Sequence, residues 1–456
     1  MPRLDLCAKR TTDQCTSRVR LATRKGLTKL LLCSRESSIF KDEDIEQDDL
    51  RSSRTPWAAL PPPPIKPIAD SFRCDALVIG AGITGALVAE RLTRQGRQVV
   101  IIDRELPSLG STVASTAMLL WETDRPLFEL AQLYNFEKAV RCYRASHHAA
   151  RGLLALVTDH GIACQMRPRL SLYLAVDDSP KLVRNEYALR SRADLPTLFL
   201  DRVELLNRFG IARAGALLSR DAADADPVRL TRGLLDVSLQ RGARLLKANA
   251  VAYDSAASTV TVGLENGLSI EARHVVLATG YVMPNIVGST SNQPASSWAI
   301  ATRRRPNALW PEQALIWEAT RNYHYARTTP DGRVIFGGED DDAIIDPEAR
   351  AAATPAKVRA LKERLKALWP RASTEVAFTW SGAFDTTRDG LPLIGAVPGY
   401  RNILAAFGYG GNGITFSFLA AELLGTLLSG GSSPLLDVLA LDRDLPANDA
   451  PSDSQA

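Results

Sequence analysis

The sequence predicts an α/β fold in which a parallel sheet with helices packed on it is interleaved with an α+β domain built on a mixed or antiparallel sheet. Three observations predict it. Residues 74–79 (Cys-Asp-Ala-Leu-Val-Ile) and 99–102 (Val-Val-Ile-Ile) are short apolar runs of the kind that form strands buried on both faces. Between them Leu87, Val88 and Leu92 recur at helical spacing and Gln95-Gly96 ends the helix, so strand, helix and strand follow as a parallel βαβ unit. Further along, β-like stretches at 170–176 and 333–336 lack that punctuation and are assigned to a second sheet.

The other elements follow from the same signals. Apolar positions from about 127 to 160 keep helical spacing. A helix is expected after Asp226-Pro227, where proline suits the first turn. Asn266-Gly267 marks a hairpin turn before a strand over 274–278, and a last helix is expected over 414–428. This order assigns 71–160, 216–290 and 378–432 to the parallel-sheet domain, 161–215 and 291–377 to the second domain, and 433–456 to a tail. Residues 1–70 read differently. Eight basic residues up to Lys29 face only Asp5 and Asp13; an acidic run from Asp42 to Asp49 and the stiff Pro61-Pro62-Pro63-Pro64 follow. This segment is expected to be disordered or extended, with no clean amphipathic leader and no secretory apolar core.

Composition narrows the function classes. At 456 residues, 45% hydrophobic, the chain has room for two domains. The 55 Lys+Arg against 51 Asp+Glu leave a net charge of +4, which gives no whole-protein field for nucleic acid or membrane. The six cysteines show no C-x-x-C and no metal spacing, and read as reduced thiols of a cytoplasmic protein. His147 and His148 are sequence neighbours facing different sides of a helix, which argues against a joint metal site. No apolar run is read as reaching the ~18 residues that span a bilayer, so no transmembrane segment is expected.

The strongest local signal is Gly80-Ala81-Gly82-Ile83-Thr84-Gly85, with a strand before it, a helix after it and Asp103 beyond the second strand, 18 residues past Gly85. That context makes it a Rossmann-type dinucleotide cradle. Gly80 permits the tight turn, Gly82 the approach of a pyrophosphate and Gly85 the packing of helix on sheet. The helix N-terminus then offers its unpaired N–H groups to the diphosphate. Asp103 can accept hydrogen bonds from a ribose diol. The cradle alone does not choose between FAD and NAD; a single fingerprint argues against an enzyme that holds both.

From about residue 74 to 430 the chain resembles the D-amino-acid oxidase-like family of FAD-dependent oxidoreductases, which includes glycine, sarcosine and γ-glutamylputrescine oxidases and D-amino-acid dehydrogenase. The motifs occur in the family's order. The cradle with Asp103-Arg104 comes first, then Gly110-Ser111-Thr112 with Ala114-Ser115-Thr116, similar to the family's Gly-Ser segment near the flavin. Asp226-Pro227 and a strand ending in Val251 follow, and the resemblance implies that the Val251 backbone meets the adenine. Ala278-Thr279-Gly280-Tyr281 resembles the second FAD contact, and Asp331-Gly332-Arg333 with Gly337-Gly338 a substrate-domain strand pair. Arg388-Asp389-Gly390-Leu391-Pro392-Leu393-Ile394-Gly395 closes the series with Gly408-Tyr409-Gly410-Gly411-Asn412-Gly413-Ile414-Thr415. The glycines of that last run let backbone approach the isoalloxazine, and the following helix aims its N–H groups at the pyrimidine edge. Residues 53–57 resemble a Ser-x-Trp segment of the γ-glutamylputrescine oxidase-like members, which implies a native start near residue 45.

The resemblance implies hydride transfer from a C–H next to nitrogen to flavin N5 and hydrolysis of the resulting imine, with oxygen or a quinone or protein as electron acceptor. An amino-acid substrate needs a cation for its carboxylate, and Arg327, in Tyr323-His324-Tyr325-Ala326-Arg327, is the candidate, with Tyr323 and Tyr325 sharing one strand face. The position matching the family's flavin-linking cysteine is Gly382, so FAD is expected to be non-covalent. Ile335 stands where some oxygen-using members place a lysine, which leans toward a dehydrogenase and allows a peripheral membrane association. Two rival readings stay open: an FAD-dependent RNA-modification module acting on a wobble-uridine carboxymethylaminomethyl group, and a non-catalytic flavin-fold subunit.

Overall fold

The computed structural model describes residues 51–52, 54–57 and 65–443, apart from 177, 257, 289–291 and 374. Most of the segment expected to be disordered, and the tail beyond 443, lie outside these residues. The described part of that segment is extended and packed on the fold. Arg51–Ser52 pairs antiparallel with Gly382 and Ser381, Trp57 is buried, and Lys66–Pro67 runs parallel to Arg244–Lys247. The indole N–H of Trp57 donates to Ser115 O at 2.9 Å, so burial of one aromatic ring fixes this stretch.

Among the described residues nine strands form the first sheet. Its parallel centre is Ser269–Leu277, Phe72–Ile79, Val99–Asp103 and Arg244–Lys247, with Ile403–Phe407 parallel to the C-terminal half of Ser269–Leu277. Both faces are buried, as the apolar runs require: Ala76 and Val78 face one cluster, Leu77 and Ile79 another. Helices Ile83–Arg94, Pro227–Gln240 and Gly413–Leu428 cover one face through Leu87, Leu234 and Leu424. Asp226 caps its helix by accepting from the amides of Val228 and Arg229 at 3.0 Å, with Pro227 in the first turn. The single helix expected over 127–160 is two, Leu127–Tyr134 and Phe136–Asp159. Asn135 stands between them at φ 98°, its side chain capping Lys138 N.

Ten described strands form the second, mixed sheet: nine run in order from Arg51–Ser52 through Val376–Thr387, Asn292–Thr302, Val334–Asp341, Tyr325–Thr328, Leu315–Glu318 and Arg167–Leu174 to Gly215–Asp224 and Met118–Leu119, and Thr197–Asp201 pairs beside Gly215–Asp224. Gly215–Asp224, which starts at the last residue assigned to the second domain, and Met118–Leu119, assigned to the parallel-sheet domain, pair within the second sheet, and Val376–Thr387 runs across the boundary set at 378. Strand alternation tells which face is buried, not which sheet a strand joins. The stretch Gly410–Leu428 is, by length and composition, apolar enough to cross a bilayer, contrary to the sequence reading, but 72% of it is buried in the fold, as expected of a core helix.

Candidate flavin and substrate site

A cavity of about 620 Å³ lies between the two sheets, within the roughly 300–1,000 Å³ usual for small-molecule sites. Its lining runs from Asp103, Arg104 and Ala248–Val251 at one end, past Gly80, Gly82, Ile83, Thr84 and the 110–118 segment, to Gly410–Ile414 and a cluster of aromatic and acidic side chains at the other.

The first end is made by backbone. Gly80 has φ 110°, and a Cβ there would lie 2.3 Å from Ala278 O. A Cβ on Gly85 would meet Gly80 O at 1.8 Å, so this glycine serves helix packing and does not line the cavity. Helix Ile83–Arg94 starts at Gly82 with no side-chain cap there. Thr112 Oγ1 takes only the Ile83 amide, at 3.0 Å, which leaves the helix N-terminus facing the cavity. Asp103 accepts from the amides of Ala81 at 2.7 Å and Glu105 at 2.9 Å. Burial nevertheless pushes its carboxyl up to about 6, against those two amides. Thr279, Gly280, Ser111, Thr112, Ser115, Thr116, Arg104 and Val251 all line this stretch. An open helix N-terminus, glycines where a Cβ would collide and a carboxylate at the ribose position fit a dinucleotide.

The glycine-rich loop after Ile403–Phe407 closes the cavity. The Arg388-Asp389-Gly390-Leu391-Pro392 turn that prepares it is structural: Asp389 accepts from Arg443 at 2.8 Å and from Thr387 Oγ1 and Leu391 N at 3.0 Å. The turn leads into Leu393–Ala396, which pairs antiparallel with Ile403–Phe407 and so delivers the loop. Gly410, Gly411, Asn412, Gly413 and Ile414 line the cavity. Gly408, at φ 71°, instead packs against Thr387, and Thr415 turns its hydroxyl to Leu120 O at 2.8 Å; neither lines it.

The reacting end is made by side chains from neighbouring strands of the second sheet and from the loops beside them. Asp124 accepts from Gly411 N at 2.7 Å and from Tyr323 Oη at 2.9 Å, and burial raises its carboxyl pKa. Tyr323 and Tyr325 both line the cavity with ring centroids 6.0 Å apart, and Trp317 stands edge-on to Tyr323 at 6.0 Å. His324, between the two tyrosines, points away and bridges Glu318 and Glu339.

Arg327 requires correction. It does not reach the cavity. Its Nη1 donates to Thr116 O, Ala117 O and Ala225 O at 2.8, 2.7 and 2.9 Å, and its Nε lies 3.8 Å from Asp224. Position 327 shares the strand face of Tyr325 but lies two residues further on, and there the three carbonyls claim the fully buried guanidinium as a clip behind the cavity wall. Ile335 is buried among Trp57, Ala299 and Trp380 and also stays off the cavity. Gly382 lines it without any sulfur.

Sequence reading missed Glu122, Asp124, Ser297, Trp317 and Asp340, all of which line the cavity. One signal was available for Asp340. Gly337-Gly338 inside a strand marks a bulge, and the register slips there: Trp298 pairs Gly338 while Ser296 pairs Asp341, with Glu339 left-handed at φ 59°. The extra residue turns the Asp340 side chain into the cavity.

The comparisons agree with this geometry. A family model described as "FAD dependent oxidoreductase" (DAO) matches residues 75–427. Gamma-glutamylputrescine oxidoreductase of Escherichia coli K12 is 23% identical over 381 residues, covering 80% of this chain and 86% of that protein. The tRNA 5-methylaminomethyl-2-thiouridine biosynthesis bifunctional protein MnmC of Ralstonia nicotianae is 27% identical over 415 residues, 81% of this chain but 59% of that protein. The solved glycine oxidase of Geobacillus kaustophilus shares the fold at a TM-score of 0.69 and 22% identity, over 82% of this chain and 99% of that one. The chain belongs to the DAO family of FAD-dependent oxidoreductases.

Proposed function

We propose that the protein oxidises a C–N bond of a small amine or amino-acid-type substrate to an imine that water then hydrolyses, passing electrons to oxygen, a quinone or a protein. One observation carries the reading: the cavity joins a dinucleotide cradle to a glycine-rich loop and then to a pocket of aromatic rings and carboxylates. FAD bound there supplies the two-electron acceptor. The chain's own residues position it and the substrate. Gly80, Gly82 and Thr84 would offer backbone to the diphosphate, Asp103 its carboxylate to the ribose hydroxyls, and Gly410 to Ile414 backbone to the ring system. Asp124 holds that loop through Gly411 N, and Tyr323 holds Asp124. The rings of Trp317, Tyr323 and Tyr325 exclude water from the reacting carbon.

The RNA-modification reading gains nothing from the lining, in which Arg104 is the only Lys or Arg, opposite the reacting end. We place the protein in the cytoplasm, a reading supported by Cys74, Cys142 and Cys164, all free thiols. The test is anaerobic titration of the yellow holoenzyme with a panel of amines and amino acids. Bleaching of the flavin band by a member of that panel is expected. A tightly held flavin that no member bleaches would overturn the reading in favour of a non-catalytic subunit.

A further inference from the structure

The charge of the reacting end narrows the substrate. Its lining carries Glu122, Asp124 and Asp340 and no Lys, Arg or His. Glu122 is compensated from behind: it accepts from Ser171 Oγ at 2.6 Å and lies 3.7 Å from the buried Arg190. Asp124 is engaged by Gly411 N and Tyr323 Oη. Asp340 forms no ion pair among the described residues: its Oδ1 is buried without a hydrogen-bond partner, as is Glu122 Oε2, and the Ser297 hydroxyl on the neighbouring strand faces both Asp340 and Tyr325. The nearby cations are taken by other acids, His324 by Glu318 and Glu339, and Lys357 by Asp341 and the Glu339 carbonyl. A carboxylate with no ion-pair partner beside a serine hydroxyl, in an acidic, aromatic-walled pocket, suits a donor that brings positive charge and several N–H groups. A carboxylate placed there would face like charge and find no guanidinium.

We infer that this enzyme takes its substrate as a cation, an amine bearing no carboxylate on the carbon next to nitrogen, with its ammonium held by Asp340 and Ser297 within the walls formed by Trp317, Tyr323 and Tyr325. The inference rests on the amine-oxidising reading but separates from it experimentally.

The test uses FAD-loaded enzyme and two ions of one shape, tert-butylammonium and pivalate. Neither has an oxidisable C–H next to nitrogen, so binding is read by calorimetry and by perturbation of the flavin spectrum, without turnover. Tert-butylammonium is expected to bind and pivalate not to. Asp340→Asn, which keeps size and removes charge, is expected to weaken the cation by about 30-fold or more, the loss typical of an unpaired buried charge contact. Ser297→Ala is expected to weaken it by a smaller factor, with FAD content unchanged in both variants. Pivalate binding as tightly as the cation, or an unchanged affinity in Asp340→Asn with FAD in place, would overturn the inference. Failure of every amine to bleach the flavin while the cation still binds would overturn the catalytic reading alone.

Discussion

The two ends of the cavity are built from different materials. The nucleotide end is backbone: Gly80, Gly82, the N-terminus of Ile83–Arg94 and amide-bound Asp103, most of it within one βαβ unit. The reacting end is side chain: Trp317, Tyr323 and Asp340 come from one stretch of adjacent strands and a loop, and Ser297 and Asp124 are brought to it from elsewhere in the sequence. A shape common to every dinucleotide is met by backbone, which cannot vary without altering the fold. A shape peculiar to one substrate is met by side chains, which can. Substitutions at the first end should therefore act on stability and FAD retention together, and those at the second, Asp124 and Tyr323 apart because they hold the loop at Gly411, on substrate alone.

The largest expected effect is at the first end. Gly80→Ala places a Cβ 2.3 Å from the Ala278 carbonyl at a φ of 110°. Strain and collision should cost at least about 3 kcal/mol, with loss of FAD from the purified protein, read as absorbance near 450 nm per chain and as Tm. A variant that keeps full flavin content would break the comparison. Arg327→Leu comes next and sharpens it. Removing the guanidinium takes a donor from the carbonyls of Thr116, Ala117 and Ala225, while Asp224 keeps Arg167 and Arg169, at a cost of about 2 kcal/mol. The surviving enzyme should keep its KM for an amine. A large rise in KM with Tm unchanged would return Arg327 to the substrate site.

The same contrast explains what could be read from the sequence. The cradle was legible because a strand, a G-x-G-x-x-G turn and a helix form locally, and each glycine answers to a nearby atom. The closing loop was legible in part: Gly410 to Ile414 reach the cavity, whereas Gly408 and Thr415 serve packing, a distinction that depends on where the neighbouring strand lies. The reacting end was legible only at Tyr323 and Tyr325, whose alternation with His324 sets one face. Arg327 was misread because an arginine near a substrate strand looks the same in sequence whether it meets a ligand or three buried carbonyls. Asp340 depends on a one-residue bulge, which no periodicity encodes.

The smallest effect concerns the support behind the reacting end. His324 Nδ1 lies 3.0 Å from Glu318 Oε2 and its Nε2 2.9 Å from Glu339 Oε1, with the ring stacked on Phe336. Carboxylates only accept, so two of them on one imidazole require both ring nitrogens to be protonated. Burial disfavours that charge, but the two acids outweigh it and raise the pKa of His324 above its ordinary value. Arg213, 3.7 Å from Glu318, Lys357, on the Glu339 carbonyl, and Asp340 complete the charged surroundings. The sign follows from linkage. A raised folded-state pKa gives stability that is complete below the unfolded value near 6.5 and is lost as pH climbs through the folded value. The stability lost in His324→Gln should therefore be larger at pH 6 than at pH 9, by on the order of 1 kcal/mol, measured by urea unfolding at each pH. A pH-independent difference would mean that the imidazole is neutral and donates to one acid only. The second acid would then be an uncompensated negative charge beside Asp340, and the reacting end would be more anionic than the hydrogen-bond geometry implies.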